Sequence, residues 1–227
     1  MRLLNPKKQK AKRFLIITMM LVGWFIFVLY PNPFNLTASL YRLKNPPIMP
    51  LLVTELAREL EYSSTLEIEQ FAYTQLPYSY DWETYNMPWY FPTLDQALQS
   101  GSGDCKARYL LFASLLEELN VPYQKKMSLT HVWVDYEGKP QRAAENLDEA
   151  ILNVNETGQL KYSIPRPDLT RASRNFYQGF WEVMPTGRKY LLLAGFPVIL
   201  GLFYLPQAVL PAQRSILLRP GKWNKRR

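Results

Sequence analysis

Two uncharged apolar stretches near the ends of the chain set the limits on its fold. Phe14 to Tyr30 (FLIITMMLVGWFIFVLY) runs for 17 residues without a charge, and Tyr190 to Leu210 (YLLLAGFPVILGLFYLPQAVL) for 21. As a helix rising about 1.5 Å per residue, the first reaches about 26 Å, close to the roughly 30 Å hydrocarbon core of a bilayer. PNPFN follows it without a small-x-small cleavage site, so it reads as an uncleaved anchor rather than a signal peptide. Pro197 and Pro206 are expected to kink the second stretch or end it early, although membrane helices tolerate proline better than soluble ones.

Charge orients this pair. Residues 1–13 hold six Lys/Arg and no acid, and residues 213–227 hold six more and no acid. Residues 31–187 carry 13 Lys/Arg against all 19 acids, a net of −6. Basic flanks stay in the cytoplasm. Both termini are therefore expected there, the acidic middle outside, and the lipid bilayer as a partner. Arg188 and Lys189 dissent mildly, on the outer side of the second span. Nucleic-acid binding calls for a basic face on the folded part, and the acidic middle argues against it. One cysteine excludes an intramolecular disulfide framework.

Between the spans, residues 31–50 carry five prolines and read as an extended linker. Residues 51–76 read as two helices broken near Ser63, Ser64 and Thr65, with Thr65 capping the second and Glu67 and Glu69 in its first turn. The aromatic, proline-rich run 77–93 reads as an irregular loop covering the core or walling a groove. Thr93 to Ser100 reads as a short helix capped by Thr93 and broken by GSGD. Cys105 to Asn120 then gives a strong helix. Leu111, Phe112, Leu115, Leu116 and Leu119 form its apolar stripe, and Glu117 and Glu118 face out. Tyr123 to Tyr136 reads as strand, in two pieces or one bent one, with His131, Trp133 and Asp135 on one face. EGKP makes a turn, residues 141–154 fit helix or strand, and 155–187 lead back to the membrane.

The approach to Cys105 points to chemistry. Asp104 suits the N-cap, and the glycines of GSGD permit close backbone approach. A helix N-terminus favours a thiolate. A free thiol of pKa about 8.5 is only about 3% ionised at pH 7, and lowering one to about 6 takes about 3.4 kcal/mol. A helix end supplies about 0.3–1 kcal/mol, at most about 2. A cationic partner is therefore required, and the single histidine is His131, 26 residues on. The imidazole in turn needs an orienting group. Asp135 shares its strand face, but four residues at about 3.3 Å each put it about 13 Å away. A residue on the next strand, across EGKP, selects Asn146 or Asp148.

GSGDCKARYLLFASLLEELNVPY followed by HVWVDY resembles the transglutaminase-like superfamily, over roughly residues 50–150. In that family a GDC motif opens a helix, a strand beginning HxW follows, and the neighbouring strand supplies an Asp or Asn. PYSYDWETY resembles the family's lead-in to the cysteine helix. Many members carry an Asp in a W..lD context at the third position. Here AAENLDEA stands instead, and the usual spacing points to Asn146, with Asp148 as the alternative.

The resemblance implies an α+β cysteine-protease-like fold over 51–187, its catalytic helix packed on an antiparallel sheet and flanked by the two spans. It implies acyl transfer on an amide: Cys105 attacks, and His131 and Asn146 assist. The Cys105 backbone N–H helps to stabilise the oxyanion. No cofactor is implied, and one Cys with one His falls short of a zinc ligand set. The expected substrates are peptides or proteins at a prokaryotic cell envelope, with hydrolysis favoured over crosslinking. The alternative is an inactive scaffold or peptide-binding protein on the same fold.

Overall fold

A computed structural model describes residues 6–128, 131–140, 142, 145, 152–154, 160–162 and 169–216. The chain divides into two compact units, Met1–Pro31 with Pro185–Arg227, and Asn32–Met184.

The first unit pairs α1 (Pro6–Leu29) with α9 (Thr186–Ile216). Trp24 Nε1 donates to the Leu191 carbonyl at 3.0 Å, and Arg188 donates to the Val28 carbonyl. As numbering rises along α1 it falls along α9, so the two helices run antiparallel. A Cβ on Gly195 would lie 2.0 Å from Trp24 Nε1, so only glycine admits the indole there. Among the described residues, one helix, over Gln9–Leu29, is long and apolar enough to cross a membrane, with a mean hydropathy of 2.0. α1 begins eight residues before the uncharged stretch and takes in part of the basic tail. Neither Pro197 nor Pro206 ends α9, which continues to Ile216.

The second unit is mixed α+β and mostly helical. It contains α2 (Phe34–Lys44), a 3₁₀ turn (Pro50–Leu52), α3 (Thr54–Glu59), α4 (Thr65–Gln75), α5 (Asp81–Tyr85), α6 (Leu94–Ser100) and α7 (Cys105–Glu118). Strands β1 (Gln124–Met127), β2 (Val132–Asp135), β3 (Leu152–Val154) and β4 (Leu160–Tyr162) form an antiparallel sheet in the order β2-β1-β3-β4. Helix α8 (Leu169–Phe176) and a π-helical turn (Tyr177–Glu182) follow.

The core is built around α7. Lys106, Ala107 and every residue from Tyr109 to Leu116 are buried. This is a central helix rather than a one-sided one, because α3, α4, α6 and β2 all pack against it. Phe91, Leu94, Leu110, Leu111 and Leu115 are fully buried, and Val132 and Val134 of β2 join the same cluster. Its C-terminus is a Schellman motif. Asn120 takes φ +55°, the Val121 N–H reaches the Leu116 carbonyl at 2.8 Å, and the Asn120 N–H reaches Glu117 at 3.2 Å.

Several local expectations change. Residues 34–44 form a helix and not an extended linker, because the prolines bracket the segment instead of interrupting it: Pro33 is at the N-cap and Pro46 lies beyond the end. Ser64, not Thr65, caps α4, in a box with Glu67. Of the two acids expected in its first turn, Glu67 is there, while Glu69 lies beyond it and is wholly buried. Residues 81–85 of the aromatic run form α5.

Candidate active site

Two glycines and a buried ion cluster aim Cys105. Gly101 closes α6 in the left-handed region, at φ +65°. Gly103 pairs in parallel with Tyr78: its N–H meets the Pro77 carbonyl at 3.0 Å, and the Ser79 N–H meets its carbonyl at 3.1 Å. A Cβ on Gly103 would fall 2.4 Å from Ala107 Cβ, so the strand-like segment can cross the helix start only as glycine. Asp104 is the N-cap, its Oδ1 accepting from the Lys106 N–H at 2.9 Å. Lys106 Nζ turns inward to Asp104 Oδ2 and to Asp81 Oδ2, the latter at 2.8 Å. Asp81 Oδ2 also accepts from the Tyr90 N–H at 2.8 Å. The residues on either side of Cys105 are thus locked to α5, while Cys105 itself is partly exposed.

Two carboxylates share one buried ammonium here. Burial, then the Asp104 charge, pushes Asp81 up to about 7. For Lys106, burial disfavours the cation, but Asp104 and Asp81 outweigh it and hold the ammonium charged.

His131 sits immediately before β2 and meets Cys105 in a cleft of about 160 Å³, lined also by Tyr73, Tyr78, Arg108 and Glu145. The imidazole and the Cys105 side chain line the same cleft, near enough for the thiol to act on the titration of the ring. Its ring stacks on Trp133, with centroids 5.7 Å apart and planes inclined by 19°. That is the shared strand face expected from the sequence, and Trp133 is itself buried. Burial pulls the His131 pKa down. The Cys105 side chain and then the Glu145 carboxylate outweigh it, pushing the group up to about 9.

The acid beside His131 is Glu145, which the sequence reading missed. Its Oε1 lies 3.8 Å from His131 Nε2, an ion-pair separation and not a direct hydrogen bond. Oε2 lies 2.9 Å from Lys139 Nζ. Lys139 reaches on to Glu69 Oε1 at 3.3 Å, and Arg142 meets Glu69 Oε2 at 2.8 Å. Tyr73 and Tyr136 each donate to Glu69 at 3.1 Å. A chain of alternating charge therefore runs from the buried Glu69 through Lys139 and Glu145 to His131. Burial disfavours the Glu145 carboxylate, but His131 and Lys139 more than compensate, so its pKa is lowered.

β2 pairs with β1, and β3, beyond the EGKP turn, pairs with β1 on its other side. Among the described residues, no strand after the turn lies beside β2, and Glu145 comes from the segment between the turn and β3. Asn146 and Asp148 lie outside the described residues. Asp135 faces Lys126 at 3.9 Å instead. The available signal was Glu145 itself, an acid adjoining Asn146 in AAENLDEA; strand periodicity had no means of choosing it. Among the described residues, no group of three or more His, Cys, Asp or Glu is placed to hold a metal.

No family model matches the chain, and no curated protein matches it.

Proposed function

We propose that the protein is a membrane-anchored, extracytoplasmic cysteine hydrolase or acyltransferase of transglutaminase-like type, acting on amide bonds of peptides or proteins. The observation that carries this reading is the meeting of Cys105 and His131, the only cysteine and only histidine in the chain, in one cleft at the start of the central helix. The GDC and HxW motifs support it, and Glu145 supplies the charge behind the imidazole that such a pair needs.

In the proposed reaction the Cys105 thiolate adds to the amide carbonyl carbon. The C–N bond breaks, its electron pair leaves with nitrogen, and the His131 imidazolium gives that nitrogen a proton. The resulting thioester is attacked by water, whose proton passes to His131. The C–S bond then breaks, releasing the acid and restoring the ion pair. The Cys105 backbone N–H stands at the helix start, where the first amides have no helical acceptor, and is suited to receive the oxyanion. Asn146 remains a candidate for the third position beside Glu145. A crosslinking enzyme must admit a second amine and exclude water, a demand that hydrolysis does not make, and hydrolysis is the reaction favoured here.

The antiparallel pairing of α1 and α9 supports a two-span anchor with both basic termini on the cytoplasmic side. Phe14, Leu15, Met19 and Phe27 of α1, and Leu193, Phe196 and Val198 of α9, are exposed, as lipid-facing residues are. This arrangement fits a prokaryotic inner membrane with substrates in the cell envelope.

The test is the alkylation rate of Cys105 by neutral iodoacetamide from pH 5 to 9, on the full chain in detergent. A rate already high near pH 6 that collapses in His131→Ala supports the enzyme. A rate rising only above about pH 8, and indifferent to His131, refutes the thiolate–imidazolium pair and leaves an inactive scaffold.

A further inference from the structure

Among the described residues, one cation of the cleft, Arg108, makes no ion pair with a carboxylate. Arg108 stands three residues after Cys105 on α7, so the two side chains leave the same helix face about 5–6 Å apart at Cβ. Its Nε donates to the Leu76 carbonyl at 2.9 Å. Its guanidinium lies 4.8 Å from the Tyr73 ring centroid and 5.3 Å from that of Tyr78. These contacts fix the plane of the group and take one of its nitrogens. The two terminal nitrogens donate to no side chain or carbonyl among the described residues.

The other charges around the cleft are matched. Arg142 is held by Glu69, Lys139 stands between Glu69 and Glu145, and His131 has Glu145 and Cys105. The ionisable groups that act most strongly on Arg108 are Tyr73, Tyr78, Cys105 and Arg142. Burial, and to a lesser degree Arg142, holds its pKa below the ordinary value. A half-buried guanidinium held by aromatic rings beside a nucleophile, with its fork open, matches the planar geometry of a carboxylate.

Resting on the catalytic reading above, we infer that Arg108 is a specificity-determining residue that binds a carboxylate of the substrate, close to the amide bond that Cys105 attacks. The carboxylate has two peptide sources, the α-carboxylate of a terminal residue and an acidic side chain. An open fork recognises either one, and the distance from the reacting carbon separates them.

The single cysteine makes this measurable without a known substrate. The full chain in detergent is alkylated with two matched pairs: bromoacetylglycine against bromoacetylglycinamide, and bromoacetyl-γ-aminobutyrate against its amide. The first carries its carboxylate where a terminal residue would, the second further along, as an acidic side chain does. Within each pair, the rate ratio of acid to amide for Cys105 is divided by the same ratio for N-acetylcysteine, which cancels intrinsic thiol reactivity. The expected result is a preference for the acid of about ten-fold in at least one pair. It falls to near one in Arg108→Gln and is partly kept in Arg108→Lys. Normalised ratios within two-fold of one in both pairs overturn the inference, whatever the variants do. So does a preference that survives Arg108→Gln, which would assign the attraction to His131 or Arg142. The amide reagents alone, run against pH with His131→Ala, report on the catalytic pair. A His131-dependent rate with no acid preference sinks only the carboxylate site. An Arg108-dependent preference at a His131-independent thiol keeps the site and sinks the chemistry.

Discussion

Glu145 Oε1 stands 3.8 Å from His131 Nε2, and its other oxygen is held 2.9 Å from Lys139 Nζ. The carboxylate behind the imidazole is therefore itself fixed by a cation that the buried Glu69 holds. Because His131 is the only histidine, its titration can be followed as a single imidazole signal by NMR. The midpoint is expected near 9 in the parent chain. It should fall in Cys105→Ala, which removes the largest raising contact, and fall by less in Glu145→Gln. A midpoint at or below about 6.5 in the parent chain would sink this account of the pair.

Stability should fall as pH rises from acid to alkaline. His131 is raised from 6.5 to about 9, so its contribution is full below about 6.5 and is lost through 9. Asp81 is raised from 3.8 to about 7, so its protonated form is favoured on folding and its contribution is lost between those values. Thermal midpoints are expected to be higher at pH 5 than at pH 9. Asp81→Asn should flatten the part of the curve below pH 7 and leave the alkaline part, which His131→Ala should flatten instead. The opposite slope in the parent chain would refute both assignments.

Lys106→Met is expected to cost about 3–5 kcal/mol in urea unfolding, because it strands Asp81 and Asp104 beneath the helix start. Adding Asp81→Asn should restore part of that loss, since one of the stranded charges is then gone. Purely additive effects would mean that the two groups do not interact as described.

Gly103→Ala is expected to cost about 1–3 kcal/mol by forcing two methyl carbons together at the start of α7. Ala107→Gly in the same chain should recover part of it despite glycine's poor helix propensity. The pair also has a chemical readout, the alkylation rate of Cys105, which should drop in the single variant and return in the double one.

What could be read from the sequence depended on whether an element is locally determined. Asp104 as N-cap, the glycines before it, and the shared face of His131 and Trp133 follow from rules spanning a few residues, and the structure has each of them. Proline misled at α2, where a count replaced positions: Pro33 and Pro46 delimit the helix. Glu145 was out of reach because strand order decides what lies beside His131. That order seats β1 between β2 and β3, which no periodicity in residues 123–154 encodes. Glu69 read as a first-turn helix acid, since the Lys139 and Arg142 that bury it lie about seventy residues on.

The residues that build the start of α7 are not the one that would do the chemistry there. Asp104 and Lys106 are buried and bound, Gly103 is sterically required, and Cys105 between them is partly exposed. Exchanging its sulfur for oxygen or hydrogen would alter its contact with His131 but leave the bonds of Asp104 and Lys106 and the packing of Gly103 in place. Descent within such a lineage can therefore shed turnover in a single codon while keeping the cleft, its charges and its anchor. A silent descendant of that kind would still occupy the same surface and compete for the same ligands as its active parent.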